Sequence, residues 1–416
     1  MIRFFHTADI HFGVENYGRI DPKTGIHSRL LDFKRSFDTC IDAAIKEDID
    51  FFLLCGDAYK TAYPTPTQQK LLIQSLLKLH NAGIPVVIVV GNHDHPLSFG
   101  KAHALDVFST VPLNTFHVFS KPDILKLQTK SGPVQIVGIP WPTRNNLVAN
   151  EAHRFKDHHE VAAYISEKIG EVIASFAQQL DPALPSILCG HLTVSNGIFS
   201  GSEKCAVYGT DPLFLPSQLA IPPFDYVALG HLHRHQNLNP GGIPIVYAGA
   251  IERVDFGERK EEKGYCAITI TSHEITGKET SYHFRQVASR PMLQLEIYLK
   301  PEDNQTEQII EAIKGAPLGD AIIKIVYHVP ETKQDKVDLI AVLKACEQAH
   351  YVVGIIPVHK VAIRPSRAHV TTSMNFEKAL SSYLDSRKEL SDKKTLLLKK
   401  ALLLQAALEQ KKDEEV

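Results

Sequence analysis

The chain has 416 residues, of which 44% are hydrophobic and 22% charged, and its formal net charge is −2. An ordinary apolar content with so little net charge excludes a mostly disordered chain. The longest apolar runs, at 51–55 and 85–90, fall far short of the roughly 18 residues that a membrane span needs, and no signal peptide is predicted. Six separated cysteines indicate reduced thiols in a cytoplasmic protein, whereas the 21 histidines leave a metalloenzyme open.

The first 270 residues alternate short apolar runs with helical stretches. Helices are predicted at 30–46 and 67–81, where apolar residues recur at helical spacing. Strands are predicted at 2–7, 51–55, 86–90, 134–139, 186–189, 226–229, 245–247 and 266–270. Apolar strands that alternate with helices predict an α/β fold whose sheet is covered on both faces.

The pattern changes near residue 290, where apolar and polar residues begin to alternate strictly and predict a half-buried strand at 293–299. Further elements are predicted as a helix at 308–314, a strand at 321–329, a helix at 337–348 and a strand at 351–356. We therefore predict a first domain over 1–285 and a small α/β domain over 286–363. A linker at 364–375 and two C-terminal helices complete the third part, 364–416.

The C-terminal helices, predicted at 376–387 and 392–411, are rich in leucine. In the second helix, apolar residues recur at positions 397, 401, 404 and 408, with further leucines beside them. That is more leucine than a solvated terminal helix carries. Packing against the body of the protein and docking onto a partner helix or coiled coil are both open from the sequence.

Five short polar motifs directly follow five of the predicted strands. In open α/β sheets the ligand crevice lies at the carboxyl ends of the strands, so these motifs can converge on one site. They are Asp9-Ile10-His11, Gly56-Asp57, Gly91-Asn92-His93-Asp94, Gly190-His191 and Gly230-His231-Leu232-His233.

The residue types in these motifs are those that two transition metals need. Carboxylate, amide oxygen and imidazole together suit Mn, Fe or Zn better than Mg or Ca. Asp57 has two carboxylate oxygens and can bridge two ions. Because two divalent ions outweigh the charges of Asp9 and Asp57, the site should attract a phosphate anion. Two metals suit attack at phosphorus, and no serine or cysteine nucleophile is then required.

In this order, the five motifs resemble those of the calcineurin-like metallophosphoesterase superfamily. The resemblance implies a β-sandwich flanked by helices around a dimetal site. It assigns the first metal to Asp9, His11, Asp57 and His233, and the second to Asp57, Asn92, His191 and His231. It also implies that His93 is not a ligand but stabilises the transition state or protonates the leaving oxygen, and that Asp94 orients His93.

Further motifs are similar to those of the SbcD-type nuclease subunits, at 200–203, 224–233, 247–250, 256–258 and 263–264. This resemblance implies a small capping domain, C-terminal helices that bind an SbcC-type coiled-coil ATPase, and a homodimer within a heterotetramer. The leading hypothesis is a cytoplasmic, Mn²⁺-dependent DNA exonuclease or endonuclease subunit for repair and recombination. It would cut phosphodiesters with a hydroxide that bridges two metals.

Lys60 departs from the family, which often carries an acidic residue or a histidine three positions after the bridging aspartate. Lys60 could hold a phosphate or be a solvated loop residue. The loop 13–29, with Tyr17 and Arg19, could contact the DNA backbone or be plain surface.

Two rival interpretations stay open. A small-molecule phosphoesterase, for cyclic nucleotides or phosphomonoesters, could use the same metals. The near-neutral net charge is compatible with it, because the chain has no overall positive field for nucleic acid. The second rival is a non-catalytic scaffold for the ATPase, although the full set of ligand types speaks against it.

Overall fold

The computed structural model describes residues 1–96, 101–143, 157–201, 211–273, 277–331, 333–359 and 374–414. Two six-stranded sheets and one three-stranded sheet hold all but two of the named strands. Within this described part, none of the helices combines the length and the apolar character that crossing a membrane requires.

The first six-stranded sheet has a parallel centre and antiparallel strands on one side. In spatial order its strands are Gly277–Gln286 (β14), Gly264–His273 (β13), Ile2–Thr7 (β1), Phe51–Cys55 (β2), Val86–Val89 (β3) and Phe116–Phe119 (β4). Strands β1 to β4 run parallel, so their carboxyl ends meet at one edge. Strand β13 runs antiparallel to both β1 and β14.

The second six-stranded sheet also has a parallel centre, between two antiparallel edge strands. In spatial order its strands are Gln236–Asn237 (β11), Ile245–Tyr247 (β12), Tyr226–Gly230 (β10), Ser186–His191 (β7), Gly132–Ile139 (β6) and Asp123–Thr129 (β5). Strands β6, β7, β10 and β12 are parallel. Two short strands, Thr193–Val194 (β8) and Leu213–Phe214 (β9), pair separately.

The two sheets pack face to face, with helices on both outer faces. Apolar residues of both sheets share one buried cluster, which includes Phe4, Phe51, Ile187 and Ala228. The helices are Ser28–Lys46 (α1), Pro66–Asn81 (α2), Asp106–Thr110 (α3), His158–Gln179 (α4) and the single turn Pro216–Leu219 (α5). Helices α1 and α2 cover the first sheet and α4 the second. The predicted sandwich flanked by helices is confirmed.

Local sequence explains where α2 begins. Pro66 occupies the first turn, where its missing N–H costs nothing, and Thr65 caps the helix. The side chains of Thr65 and Gln68 exchange hydrogen bonds with each other's backbone in a capping box. From that start, Leu72, Leu76 and Leu79 lie buried against the first sheet.

The third sheet belongs to the small α/β unit. Its elements are Met292–Tyr298 (β15), Gln305–Lys314 (α6), Ile322–Val329 (β16), Leu339–Ala345 (α7) and Tyr351–His359 (β17). The three strands are parallel and enclose an apolar core of their own. Ser28 Oγ lies 2.8 Å from His350 Nε2, and Arg290 binds Asp32, so α1 contacts this unit through polar groups.

The last two helices are Phe376–Asp385 (α8) and Lys394–Glu414 (α9), joined by the 3₁₀ segment Lys388–Lys393. Leu384 is buried. Several other apolar side chains are exposed, namely Phe376, Tyr383, Leu396, Leu403 and Leu404. Whether these side chains dock onto a partner stays a prediction.

All predicted strands and helices exist, and β1, β2 and β12 have the predicted bounds. Strands β4, β5, β8, β9, β11 and β14 escaped prediction. Strand β14, with sequence GKETSYHFRQ, is mainly polar because much of it is exposed, so it lacks an apolar run. Most of the predicted linker, 364–373, lies outside the described residues, as does half of the motif at 200–203. The domain boundaries stay a prediction.

Candidate metal centre

Loops that follow β1, β2, β3, β7 and β10 meet at one edge of the sandwich. The loop after β1 continues along the loop after β2, because the Asp9 N–H donates to Gly56 O at 3.1 Å and the His11 N–H donates to Asp57 O at 2.9 Å. Across the sandwich, the His231 N–H donates to Asp9 Oδ1 at 3.0 Å. The predicted motifs therefore converge.

The first group of candidate ligands comprises Asp9, His11 and His233. Their ligand atoms lie within 4.8 Å of one another, and all three residues are buried. The Nε2 atoms of His11 and His233 are 2.9 Å apart. Two imidazole nitrogens that share a metal at bond lengths of about 2 Å lie about 3 Å apart, so this spacing fits a common cation.

The second group comprises Asn92, His191 and His231. Asn92 Oδ1 lies 2.9 Å from His191 Nε2 and 3.3 Å from His231 Nδ1. The Nδ1 atom of His191 lies 2.9 Å from Cys55 O. Because a carbonyl only accepts, Nδ1 of His191 carries the proton and Nε2 offers its lone pair to the site.

Asp57 lies between the two groups. Its Oδ2 is 3.7 Å from His11 Nε2 and 3.5 Å from His191 Nε2. Its Oδ1 accepts the His93 N–H at 2.9 Å. Oδ2 thus faces both groups, as a bridge through a single oxygen requires, while Oδ1 fixes the next loop.

Backbone strain is concentrated at these residues. Asp9, His11 and Asp57 have φ near +52° and His231 has φ +103°, in a region that side chains disfavour. Gly91 is needed for a different reason. A Cβ there would lie 2.2 Å from Asp57 Oδ1 and 2.3 Å from the Asp57 nitrogen. The positive φ angles and the close approach of Gly91 to Asp57 both bring the side chains of the candidate ligands together in one small volume.

The charges at the site also fit divalent cations. Burial lowers the pKa of His11 well below its ordinary value, which keeps the imidazole in the neutral form that binds metals. Burial alone would raise the pKa of Asp57, but His191 and His93 hold it well below its usual range. Burial would lower the pKa of His191, yet Asp57 and Asp9 raise it to about 9, so positive charge is favoured beside these carboxylates.

His93 lies beside the two groups, and the Lys60 carbonyl holds its ring. Its Nδ1 is 2.9 Å from Lys60 O, so Nδ1 donates and Nε2 faces the site, 4.0 Å from Asp57 Oδ2. Its side chain is 35% exposed, whereas the ligand candidates His11 and His191 are fully buried. This accessible position suits a group that touches substrate.

The hydrogen bonds of Asp94 do not go to His93, so its role as the group that orients His93 stays a prediction. Asp94 is buried, and its oxygens accept backbone N–H groups of Ala58, Tyr59 and Gly91 at 3.0–3.3 Å. The carbonyl of Lys60 holds the His93 ring in its place. The carboxylate was expected to fix the imidazole, but its oxygens are instead taken up by N–H groups of the two loops that follow β2 and β3.

The three predicted substrate contacts differ in position. Tyr17 and Lys60 line one cleft of about 380 Å³ together with Val14 and Asp255. Arg19 is exposed on the loop beside it. Arg29, grouped with the same basic loop, is fully buried and pairs with Asp32 at 3.0 Å, so it does not face solvent.

Three residues near the site were not singled out from the sequence. Glu258 Oε1 lies 2.7 Å from His233 Nδ1, and Asp211 Oδ2 lies 3.6 Å from His231 Nε2. The Trp141 ring lies 4.9 Å from the His231 ring. Burial would raise the pKa of Glu258, but His233 and Lys263 lower it to about 2. The only sequence signal for Glu258 is its place in the segment 256–258, read as a family motif without a role.

The chain belongs to the calcineurin-like phosphoesterase family, whose model matches residues 2–235. It is therefore an enzyme of the metal-dependent phosphoesterase class, and the candidate ligand groups fit divalent cations. Among curated proteins, it is 28% identical over 316 residues to the D subunit of the nuclease SbcCD from Staphylococcus saprophyticus, and the match spans 75% of each chain.

Solved structures resemble the chain more loosely. A dimetal phosphatase from Danio rerio is 11% identical, with a TM-score of 0.41, and the match covers 68% of this chain and 98% of that one. A protein from Thermus thermophilus is 12% identical, with a TM-score of 0.37, and the match covers 67% of this chain and 98% of that one.

Proposed function

We propose that the protein is a Mn²⁺-dependent DNA nuclease subunit, which hydrolyses phosphodiesters as an exonuclease or endonuclease and acts with an SbcC-type ATPase in repair or recombination. The main support is Asp57, one oxygen of which lies within 3.7 Å of a histidine nitrogen in each of two ligand groups. Two cations on either side of one carboxylate suit in-line displacement at phosphorus. Similarity to a nuclease subunit over three quarters of the chain supports DNA as the substrate.

The proposed ligands follow the two groups. Asp9, His11 and His233 would hold the first cation, Asn92, His191 and His231 the second, and Asp57 both. When bound, the cations supply Lewis-acid activation of the phosphate and of the attacking water. The chain itself fixes each ligand before substrate arrives, for example through Cys55 O on His191.

His93 would act on the substrate. With Nδ1 held by Lys60 O, its Nε2 is directed at the site and, in the imidazolium form, can donate a hydrogen bond to the scissile phosphate. Donation of a proton to the leaving oxygen requires the imidazolium form, because Nε2 of the neutral tautomer carries a lone pair. Asp94 contributes indirectly, since it joins the loops that carry Asp57 and Asn92.

The cleft lined by Tyr17 and Lys60 would receive DNA next to the metal groups. Lys60 supplies a cation for a phosphate, and Tyr17 supplies an aromatic face whose other contact is Phe256, 5.5 Å away. Arg19 would reach the backbone farther from the site. Because the whole chain is near neutral, such local cations and the metals must provide the attraction for DNA.

The remaining parts would serve assembly. We propose domains at 1–285 and 286–363, and a partner-binding region at 364–416 whose exposed Leu403 and Leu404 dock onto an SbcC-type ATPase. A homodimer of this chain would complete a heterotetramer. The five cysteines in the described part are free and buried, which fits the cytoplasm as the place of action.

The decisive experiment is product analysis on end-labelled linear and hairpin duplex DNA, with and without Mn²⁺ and the partner. Asp57→Asn and His93→Leu should each abolish Mn²⁺-dependent cleavage, while exposed His273→Ala on β13 should cleave normally. Unchanged cleavage by both site variants would contradict the mechanism.

The same assay separates the rival functions. Turnover of cyclic nucleotides or phosphomonoesters without cleavage of DNA would favour the small-molecule phosphoesterase. Binding of the ATPase without any hydrolysis would favour the scaffold. Truncation after Arg364 should abolish co-purification with the ATPase, and retention would contradict the proposed docking region.

A further inference from the structure

A buried ion pair lies directly behind one of the candidate ligands. Glu258 and Lys263 are each at most 1% exposed, and Lys263 Nζ lies 2.8 Å from Glu258 Oε2. Glu258 ends the 3₁₀ turn Phe256–Glu258, and Lys263 immediately precedes β13. Both lie beyond residue 235, where the family match ends.

The pair holds His233 at two points. Glu258 Oε1 lies 2.7 Å from His233 Nδ1, and Lys263 Nζ donates to His233 O at 3.0 Å. The second oxygen, Oε2, accepts the Val254 N–H at 3.1 Å as well as Lys263. Ring and backbone of one histidine are therefore fixed by one ion pair.

Hydrogen-bond chemistry decides which nitrogen of His233 can bind a cation. An ionised carboxylate can only accept, so Nδ1 must carry the proton. The lone pair then resides on Nε2, the atom that faces His11 Nε2 at 2.9 Å. Carboxylates that accept from the outer nitrogen of a histidine ligand fix its tautomer and raise its basicity.

We propose that Glu258 and Lys263 are positioning residues that hold His233 in the tautomer and orientation needed to bind the first cation, an inference that rests on the proposed dimetal function. A buried ion pair is rarely an efficient source of stability. Its value here lies in the geometry that it imposes on His233.

Glu258→Gln is a sharp test because the side chain keeps its shape. Oε2 now meets two donors, Lys263 Nζ and the Val254 N–H, so the amide oxygen of glutamine will turn toward them. The amide NH₂ must then face His233 Nδ1 and will stabilise the tautomer that is protonated on Nε2. That tautomer cannot bind a cation through Nε2.

The experiment is a Mn²⁺ titration of the metal-free full chain by calorimetry and electron paramagnetic resonance, with thermal unfolding of each metal-free variant. For Glu258→Gln we expect a roughly 10- to 100-fold weaker first site and an unchanged second site. Glu258→Asp keeps the charge and should restore part of the affinity. Glu261→Gln is the matched control, because Glu261 binds the same Lys263 at 3.0 Å.

The outcomes are distinguishable. Wild-type affinity at both sites in folded Glu258→Gln overturns the positioning role. If that variant does not fold, Glu258→Asp decides, and unchanged first-site affinity overturns the role equally. A wild-type chain that binds two Mn²⁺ but cuts no DNA contradicts only the nuclease function. A wild-type chain that binds fewer than two contradicts the dimetal site and this inference together.

Discussion

The two halves of the candidate metal centre are supported differently. The first half is the group of Asp9, His11 and His233, and the second half is the group of Asn92, His191 and His231. In the second half, His191 ends strand β7 and its outer nitrogen meets Cys55 O, so the sheet backbone holds the ligand. In the first half, His233 lies beyond the end of β10 and relies on Glu258 and Lys263. Backbone support survives most side-chain changes, whereas support by buried charges depends on each partner.

A second ionic cluster supports the first half from behind. Arg29 donates to Arg253 O at 2.5 Å, and Asp32 binds both Arg29 and Arg290. Glu252 accepts the Arg290 N–H at 3.2 Å. The segment from residue 252 to Glu258 thus contacts α1 and also Arg290, at the start of the small α/β unit. We expect the first half to be the more sensitive to charge, acid and mutation.

The largest effect should come from the loop that serves both halves. Gly91→Ala would place a Cβ 2.2 Å from Asp57 Oδ1, so Asp57, the proposed bridging ligand, must move. We expect loss of both Mn²⁺ sites and at least about 100-fold lower DNA cleavage, because displacement of reacting groups by about 1 Å costs that much. Gly241→Ala, with open space around it, should change neither quantity. Metal stoichiometry and initial rates measure both.

Loss of the ionic cluster should affect the first half alone. In Asp32→Asn we expect the free energy of unfolding in urea to fall by about 3 kcal/mol, because a buried charge pair is broken. First-site Mn²⁺ affinity should fall with it, while the second site is unchanged. Asp42→Asn on the exposed side of α1 should cost under about 0.5 kcal/mol. Equal losses at both metal sites would contradict the distinction between the halves.

The stability lost in Asp32→Asn should depend on pH. Burial alone would raise the pKa of Asp32, but Arg290 and Arg29 lower it below its ordinary value. A lowered folded-state pKa means that the stabilisation is complete above the unfolded value of about 3.9 and is lost as the pH falls through the folded value. The stability difference between wild type and Asp32→Asn should therefore be constant from pH 6 to 7 and shrink below about pH 4. A difference that grows in acid would refute this.

Asp94→Ala tests a carboxylate that connects the loop after β2, which carries Asp57, to the loop after β3, which carries Asn92 of the second half. Three buried N–H groups lose their acceptor, so we expect a loss of about 2 kcal/mol in unfolding free energy. If Asp94 instead oriented His93, the turnover rate would fall while stability stayed near the wild-type value. Exposed Asp123→Ala provides the comparison, since it frees a single N–H.

The smallest effect is expected from the Lys60 side chain. Lys60→Ala keeps the carbonyl that binds His93 and removes one cation from the cleft. We expect DNA affinity to fall a few-fold, with the slope of log affinity against log salt reduced by about 1 and the turnover rate almost unchanged. Lys126→Ala, exposed on β5, should leave the slope as it is. An unchanged slope in Lys60→Ala would place this lysine outside the DNA path.

The sequence by itself determined most of the parallel strands and the order of the polar motifs. Buried parallel strands need continuous apolar runs, and such runs are readable without any partner. Because parallel strands share a carboxyl edge, the motifs that end them had to be neighbours. Asp9, Asp57, His191 and His231 could therefore be placed together from spacing alone.

Only the tertiary structure decided which atoms meet. Asp94 was expected to contact His93, but the Lys60 carbonyl does so instead, because hydrogen bonds depend on directions that sequence spacing does not contain. Arg29 became a buried ion-pair partner rather than a DNA contact. Glu258 reaches His233 from 25 residues along the chain, at the end of a 3₁₀ turn that carries no ligand signal. Strand patterns are local, whereas the partner of a buried charge is set by the packing of distant segments.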